Sequence, residues 1–114
     1  MGGKGIGRTA LALAAGLIVL GAAAPEASQS AVTVRLFQFT PGQIDVRAGT
    51  TLTWTNQDDI AHTVTSGTPE QRDDRFDVAL SGRGASGSVL LREPGVYPYF
   101  CRRHQSMRGE IRVK

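Results

Sequence analysis

One short segment of this chain concentrates three kinds of metal donor. Cys101-Arg102-Arg103-His104-Gln105-Ser106-Met107 sets a thiol, an imidazole and a thioether three residues apart in turn. Together these atoms suit a copper ion that cycles between Cu(I) and Cu(II). Such a site calls for a second imidazole. The chain has two His, so His62, 39 residues before Cys101, is the one left to supply it. The single Cys, both His and the one Met beyond the initiator then make up one candidate site for one copper ion: His62, Cys101, His104 and Met107.

Other readings of the same residues are weaker. Alone, a loop His is usually a surface residue and a lone Met usually belongs to a core. Zinc also takes Cys and His, but a structural zinc site wants more of them, and a thioether is a poor zinc ligand. Trigonal sites of two His and one Cys with a weak axial Met are instead the blue-copper arrangement. Cys101 with His104 or His62 could form a nucleophilic pair. No oxyanion-hole signature or substrate pocket accompanies it, so the chain is not expected to be an enzyme. Two His cannot build the further copper cluster of a multicopper oxidase.

The elements that must position these donors read as β throughout. Val32, Val34 and Leu36 alternate with polar residues as in a half-buried strand. The apolar positions then shift phase to Phe37 and Phe39, which suggests a bulge or bend. Pro41-Gly42 marks a turn. Ile44 with Val46, and Leu52 with Trp54, alternate again, and the flanking threonines favour extended backbone. Asn56-Gln57-Asp58-Asp59 is a polar loop before a short extended piece with His62 and Val64. Residues 66–88 are the least regular, with a short helical turn near Pro69–Phe76 as the local alternative. Val89–Leu91, Val96–Cys101 and Ile111–Val113 are further strands, with Tyr97, Tyr99 and Cys101 on one face. About seven to eight short strands split by Gly/Pro turns predict an all-β, antiparallel sandwich or barrel. In a sandwich the loops at one end converge, which lets the His62 loop meet the Cys101 loop.

The 114 residues fit one domain behind a leader. Lys4 and Arg8 precede fifteen apolar residues at 10–24, short of the ~20 that span a bilayer. This reads as a secretory signal peptide over residues 1–27, cut somewhere in 24–31, followed by a copper-binding domain at 28–114. Pro25 disfavours a cut straight after Ala22-Ala23-Ala24. Neither a lipidated cysteine nor a twin-arginine signal is expected. Losing Lys4, Arg8 and Glu26 from 13 bases and 10 acids leaves 11 and 9, close to balance. The bases are not interleaved with aromatics, so no nucleic-acid partner is expected. One Cys forbids an intrachain disulfide. In an oxidising compartment a lone Cys calls for burial, a metal or catalysis.

From about Val32 to Lys114 the chain resembles a cupredoxin of the plastocyanin, pseudoazurin and amicyanin group. The resemblance is carried by Phe39, Pro41, Ile44, Val46, Gly49, Trp54, Asn56 and His62, by Phe76, Gly95, Tyr97, Tyr99 and Cys101, and by His104, Met107, Gly109, Ile111 and Val113. Two-residue gaps on both sides of His104 look most like amicyanin. The resemblance implies a Greek-key β-sandwich with His62, Cys101 and His104 as strong ligands and Met107 as the axial one. It gives Asn56 the task of tying the ligand loops together and supporting the Cys sulfur through its backbone N–H. It implies an exposed ring edge on His104 as the electron port.

The function implied is single-electron shuttling in the periplasm, as a monomer, between redox proteins such as a c-type cytochrome and a dehydrogenase, with no small-molecule substrate. Copper storage or delivery is the alternative. Arg102, Arg103 and Arg108 read as a basic collar for an acidic docking face, partly offset by Asp58 and Asp59, or else as solvated loop charge. Two departures from the family pattern bear on the site. Pro98 lies inside the strand before Cys101, where its missing N–H requires an edge or a bulge. Ala61, not proline, precedes His62.

Overall fold

The computed structural model describes Ser28–Lys114, together with Gly2, Gly3 and Gly16; the expected signal peptide at 1–27 otherwise lies outside the described residues. Among the described residues, nine strands form two sheets. They are β1 (Gln29–Arg35), β2 (Gln38–Thr40), β3 (Gln43–Val46), β4 (Thr50–Asn56), β5 (His62–Gly67), β6 (Arg72–Leu80), β7 (Ser86–Leu91), β8 (Gly95–Phe100) and β9 (Arg108–Val113). One sheet runs β2-β1-β4-β7 and the other β3-β9-β8-β5-β6. The all-β sandwich expected from the alternation is present. It has one or two strands more than expected, and it is mixed: β1 pairs parallel to β4, and β3 parallel to β9.

Period-two patterning builds the core. In β4 every second residue, Thr50, Leu52, Trp54 and Asn56, is buried. Val32 and Val34 from β1 meet them across the sheet, and Tyr97, Tyr99 and Ile111 close the core from the other side. Trp54 and Phe39 both pack on the Tyr99 ring at steep angles, with centroids 5.5 and 4.7 Å apart. Such aromatic pairs contribute beyond their buried area.

Two local expectations are corrected, and a third is met. Leu36 does not continue β1: it is 71% exposed, and with Phe37 it forms a two-residue hairpin turn between Arg35 and its partner Gln38. Both residues have positive φ, 52° and 58°. That is the conformation two-residue hairpins require, usually met by Asn-Gly. Leu and Phe are poor at it, at a cost of roughly 1–2 kcal/mol each. Second, residues 69–76 form no helical turn; Arg72–Leu80 is a nine-residue strand at the sheet edge. Its charged stretch Arg72-Asp73-Asp74-Arg75 is exposed, as edge strands need if they are not to recruit another chain. Third, the Pro98 problem is solved where pairing ends. β5 pairs β8 only through Thr65↔Phe100 and Ser66↔Tyr99, and at Gly67 β5 shifts register toward Arg72.

Tyr99 yields a pH prediction. Its hydroxyl is buried without a hydrogen-bond partner of good geometry. Burial pushes the phenol up to about 12 from 10.0, a shift that the nearby Trp54 indole only partly opposes. The unfolded chain therefore releases this proton first, and stability is lost as pH rises from 10 through about 12. The loss approaches roughly 3 kcal/mol at the top of that window. Denaturant melts of the wild type and of Tyr99→Phe are expected to converge in slope below pH 10 and to diverge above it, with the variant losing less. Parallel profiles up to pH 12 would contradict the assignment.

Candidate metal centre

The register of two neighbouring strands brings the donors together. β5 and β8 are antiparallel, with Thr65 opposite Phe100. His62, the first residue of β5, and Cys101, the residue after β8, therefore lie at the same end of the sheet. Their side chains meet: Cys101 Sγ stands 3.7 Å from His62 Nδ1 and 3.9 Å from His104 Nδ1. The three donor atoms lie within 4.8 Å of one another.

The segment after Cys101 is closed by its own backbone. Met107 N–H donates to the His104 carbonyl at 2.9 Å, and Cys101 N–H to the Met107 carbonyl at 3.1 Å. These bonds fold the loop so that Met107 returns beside Cys101 in the buried cluster, 2% exposed. Cys101 is fully buried, His62 is 1% exposed, and His104 alone of the four is half-buried.

A chain of hydroxyls anchors the loop from beneath. Arg102 N–H donates to Thr63 Oγ1 at 2.9 Å, Thr63 and Thr65 hydroxyls share a bond of 3.0 Å, and Thr65 donates to Asp77 Oδ1 at 2.8 Å. The Arg102 side chain reaches the same Asp77 oxygen at 3.2 Å.

Among the described residues the sulfur receives one backbone donor, and it is not the expected one. Thr63 N–H points at Cys101 Sγ at 3.4 Å. The Asn56 N–H instead donates to the Ala85 carbonyl at 2.8 Å. The Asn56 side chain does tie loops together: Nδ2 donates to Ile60 and Leu80 carbonyls at 2.8 and 3.3 Å, and Oδ1 accepts the Asp58 N–H at 2.9 Å. Thr63 is close to the site because it follows His62 in β5. No side-chain chemistry announces it in the sequence.

Asp58 and Phe37 are further contributors that residue types alone do not disclose. Asp58 Oδ2 lies 2.8 Å from His62 Nε2. Its carboxylate also accepts the Leu36 and Phe37 N–H groups at 2.8 and 3.0 Å. Burial pushes the Asp58 carboxyl up, but the Phe37 amide, the His62 ring and the Leu36 amide together outweigh it and hold the group below its usual range. Phe37 stands edge-on to both imidazoles, 5.3 Å from His62 and 4.9 Å from His104. With Leu36 and Ile60 it leaves an exposed apolar rim around this end of the sandwich.

The basic collar is largely paired. Arg102 is held by Asp77 at 3.2 Å, Arg108 by Glu70 at 3.6 Å, and Arg83 neutralises Asp59 at 2.8 Å. Among the described residues, Arg103 makes no ion pair.

The donor set fits one copper ion. Bonds of about 2.1 Å to nitrogen and about 2.3 Å to sulfur at 120° require S···N separations of about 3.8 Å. The two observed values bracket that figure. A cysteine with two imidazoles, and a methionine in the same buried cluster, matches copper rather than a closed zinc site.

Comparison with known proteins agrees with this chemistry. Residues 26–114 match the family model of copper-binding proteins of the plastocyanin/azurin family. Amicyanin-alpha of Methylorubrum extorquens is 31% identical over 105 residues, covering 90% of this chain and 86% of that protein. A Cu(I) form of an amicyanin variant superposes with a TM-score of 0.62 at 25% identity, over 82% of this chain and 88% of that one. A purple cupredoxin from Nitrosopumilus maritimus shares the fold, with a TM-score of 0.69 at 23% identity, over 75% of this chain and 99% of that one. The chain belongs to the plastocyanin/azurin family of copper-binding proteins, the cupredoxins.

Proposed function

We propose that this protein is an exported carrier of single electrons, which it passes between larger redox proteins through a copper ion held by His62, Cys101, His104 and Met107. The observation that carries the reading is the convergence of Cys101 Sγ with two imidazole Nδ1 atoms, 3.7 and 3.9 Å away, beneath a half-buried His104. When bound, the copper ion supplies the one-electron Cu(I)/Cu(II) couple.

The chain's own residues make that couple usable. The strand ends fix Cys101 and His62, and the backbone bonds at Met107 fix the loop, so the fold itself holds the donors together. Thr63 N–H donates to the sulfur, and such a contact stabilises thiolate charge and tunes the site. The apolar rim of Leu36, Phe37 and Ile60 excludes water and offers a face against which a partner can sit within reach of His104.

The export reading rests on the basic and apolar leader at 1–27. It places the carrier in the periplasm, where sequencing the N-terminus of the exported protein is expected to find a start within 25–32. Partners are taken to be a c-type cytochrome and a dehydrogenase, meeting a monomer. Among the collar arginines, Arg103 is left to steer an acidic partner, because Asp77 and Glu70 already occupy Arg102 and Arg108.

Stopped-flow oxidation of the reduced protein by an acidic c-type cytochrome tests this. Arg103→Glu is expected to slow association about 3- to 10-fold at low salt. The difference should close as ionic strength rises and the screening length falls below about 8 Å. No electron transfer to any such cytochrome would remove the carrier role. Transfer with an unchanged Arg103→Glu rate would move docking to the apolar rim alone.

A further inference from the structure

Asp58 lies outside the donor set, yet three of its contacts converge on it. Oδ2 takes the His62 Nε2 side of the ring at 2.8 Å and the Phe37 N–H at 3.0 Å, and Oδ1 takes the Leu36 N–H at 2.8 Å. The two amides belong to the left-handed, non-glycine turn between β1 and β2. Phe37, in that turn, lies edge-on to both imidazoles.

We propose that Asp58 is the positioning residue of this metal centre: one carboxylate both orients the His62 ring and pins the Leu36–Phe37 turn, so that Phe37 covers the two imidazoles. An imidazole can offer either nitrogen. With the Nε2 proton donated to a carboxylate, the Nδ1 lone pair is free, and Nδ1 is the atom that faces Cys101 Sγ. A carboxylate acceptor also makes the ring a more basic donor, which favours the more highly charged metal ion.

The turn needs the same carboxylate. It pairs two adjacent amides of residues in a conformation that Leu and Phe adopt poorly, so its removal takes away the contact that holds them there. Asn56 works one step further out. Its Oδ1 accepts the Asp58 N–H and its Nδ2 holds the Ile60 carbonyl, which keeps the segment between them in place. The turn, the cover and the ring orientation are therefore one unit joined at Asp58.

The redox part of the test rests on the copper reading, and the tautomer part does not. In the metal-free wild type, nitrogen–proton couplings of the imidazoles are expected to show His62 as a single Nε2–H tautomer. Asp58→Ala should turn this into a mixture. A wild-type His62 protonated on Nδ1, or an unchanged tautomer in Asp58→Ala, would overturn the proposal whatever the metal. In the copper-loaded protein, Asp58→Ala is expected to lose Cu(II) affinity relative to Cu(I) by about 10- to 100-fold, a rise of about 59–118 mV in potential for one electron. Asp58→Asn keeps the shape and one acceptor without the charge, so it should fold and rise by less; an unchanged potential in both variants would overturn the tuning role. Phe37→Ala should speed copper loss to a chelator in the wild type and add nothing in Asp58→Ala. Fully additive effects would contradict the single unit.

Discussion

Cys101→Ser is expected to fold as the wild type does and to lose the strong visible absorption of the Cu(II)-loaded protein. Serine nearly matches cysteine in size and can accept the same Thr63 N–H, so the fully buried position stays filled. What disappears is the soft thiolate, the donor that selects copper here. Removing a group that merely orients a ligand costs about 10- to 100-fold in affinity. Removing the ligand itself should therefore cost at least about 100-fold. Absorption spectra and a competition titration of both proteins measure the two effects. A variant that kept the band would show that Cys101 does not bind the metal.

Gly109→Ala is expected to be strongly destabilising, for a reason visible only in three dimensions. Gly109 pairs with Tyr99 across β8 and β9, and a methyl group there would overlap the Tyr99 ring at Cζ, Cε1 and the hydroxyl. The ring has nowhere to retreat. It is 1% exposed, with Trp54 on one side and Phe39 on another. Overpacking of this kind costs about 3 kcal/mol, which for a domain this size lowers the midpoint of thermal unfolding by roughly 12–24 °C. Tyr99 also precedes Cys101 by two residues on the same buried face, so a displaced ring should disturb the copper spectrum as well. Gly109→Ala in a Tyr99→Leu background is expected to cost much less. An equal cost in both backgrounds would locate the strain elsewhere.

The candidate donors stand out in the sequence because each is chemically distinctive and scarce. A Cys, two His and a Met have few other tasks in this chain, and their spacing points to one loop. The sandwich was legible for a different reason: alternation in segments such as Leu52–Trp54 and Tyr97–Tyr99 carries the burial pattern directly.

What surrounds the donors was harder to read. The Leu36–Phe37 turn carries no Asn or Gly. Its conformation is imposed by Asp58, 22 residues from Leu36, rather than by local preference. β6 hides among charges because an edge strand keeps only the alternate Phe76, Val78 and Leu80 for the core. The N–H on the Cys101 sulfur belongs to Thr63 and not Asn56, and a backbone donor leaves no trace in side-chain chemistry. The arginine collar is visible as composition, while the pairing of Arg102 and Arg108 depends on where Asp77 and Glu70 fall in the folded structure.

The central claim is that these four side chains hold copper while it gains and loses an electron. The direct test is to load the protein with one equivalent of Cu(II) and cycle it between reductant and oxidant in the presence of a Cu(I) chelator, following the visible band. The band should bleach on each reduction and return to its starting height on each oxidation, with no copper passing to the chelator. A band that fails to form, or copper captured by the chelator at the first reduction, would contradict an electron carrier and point to a protein that hands copper on.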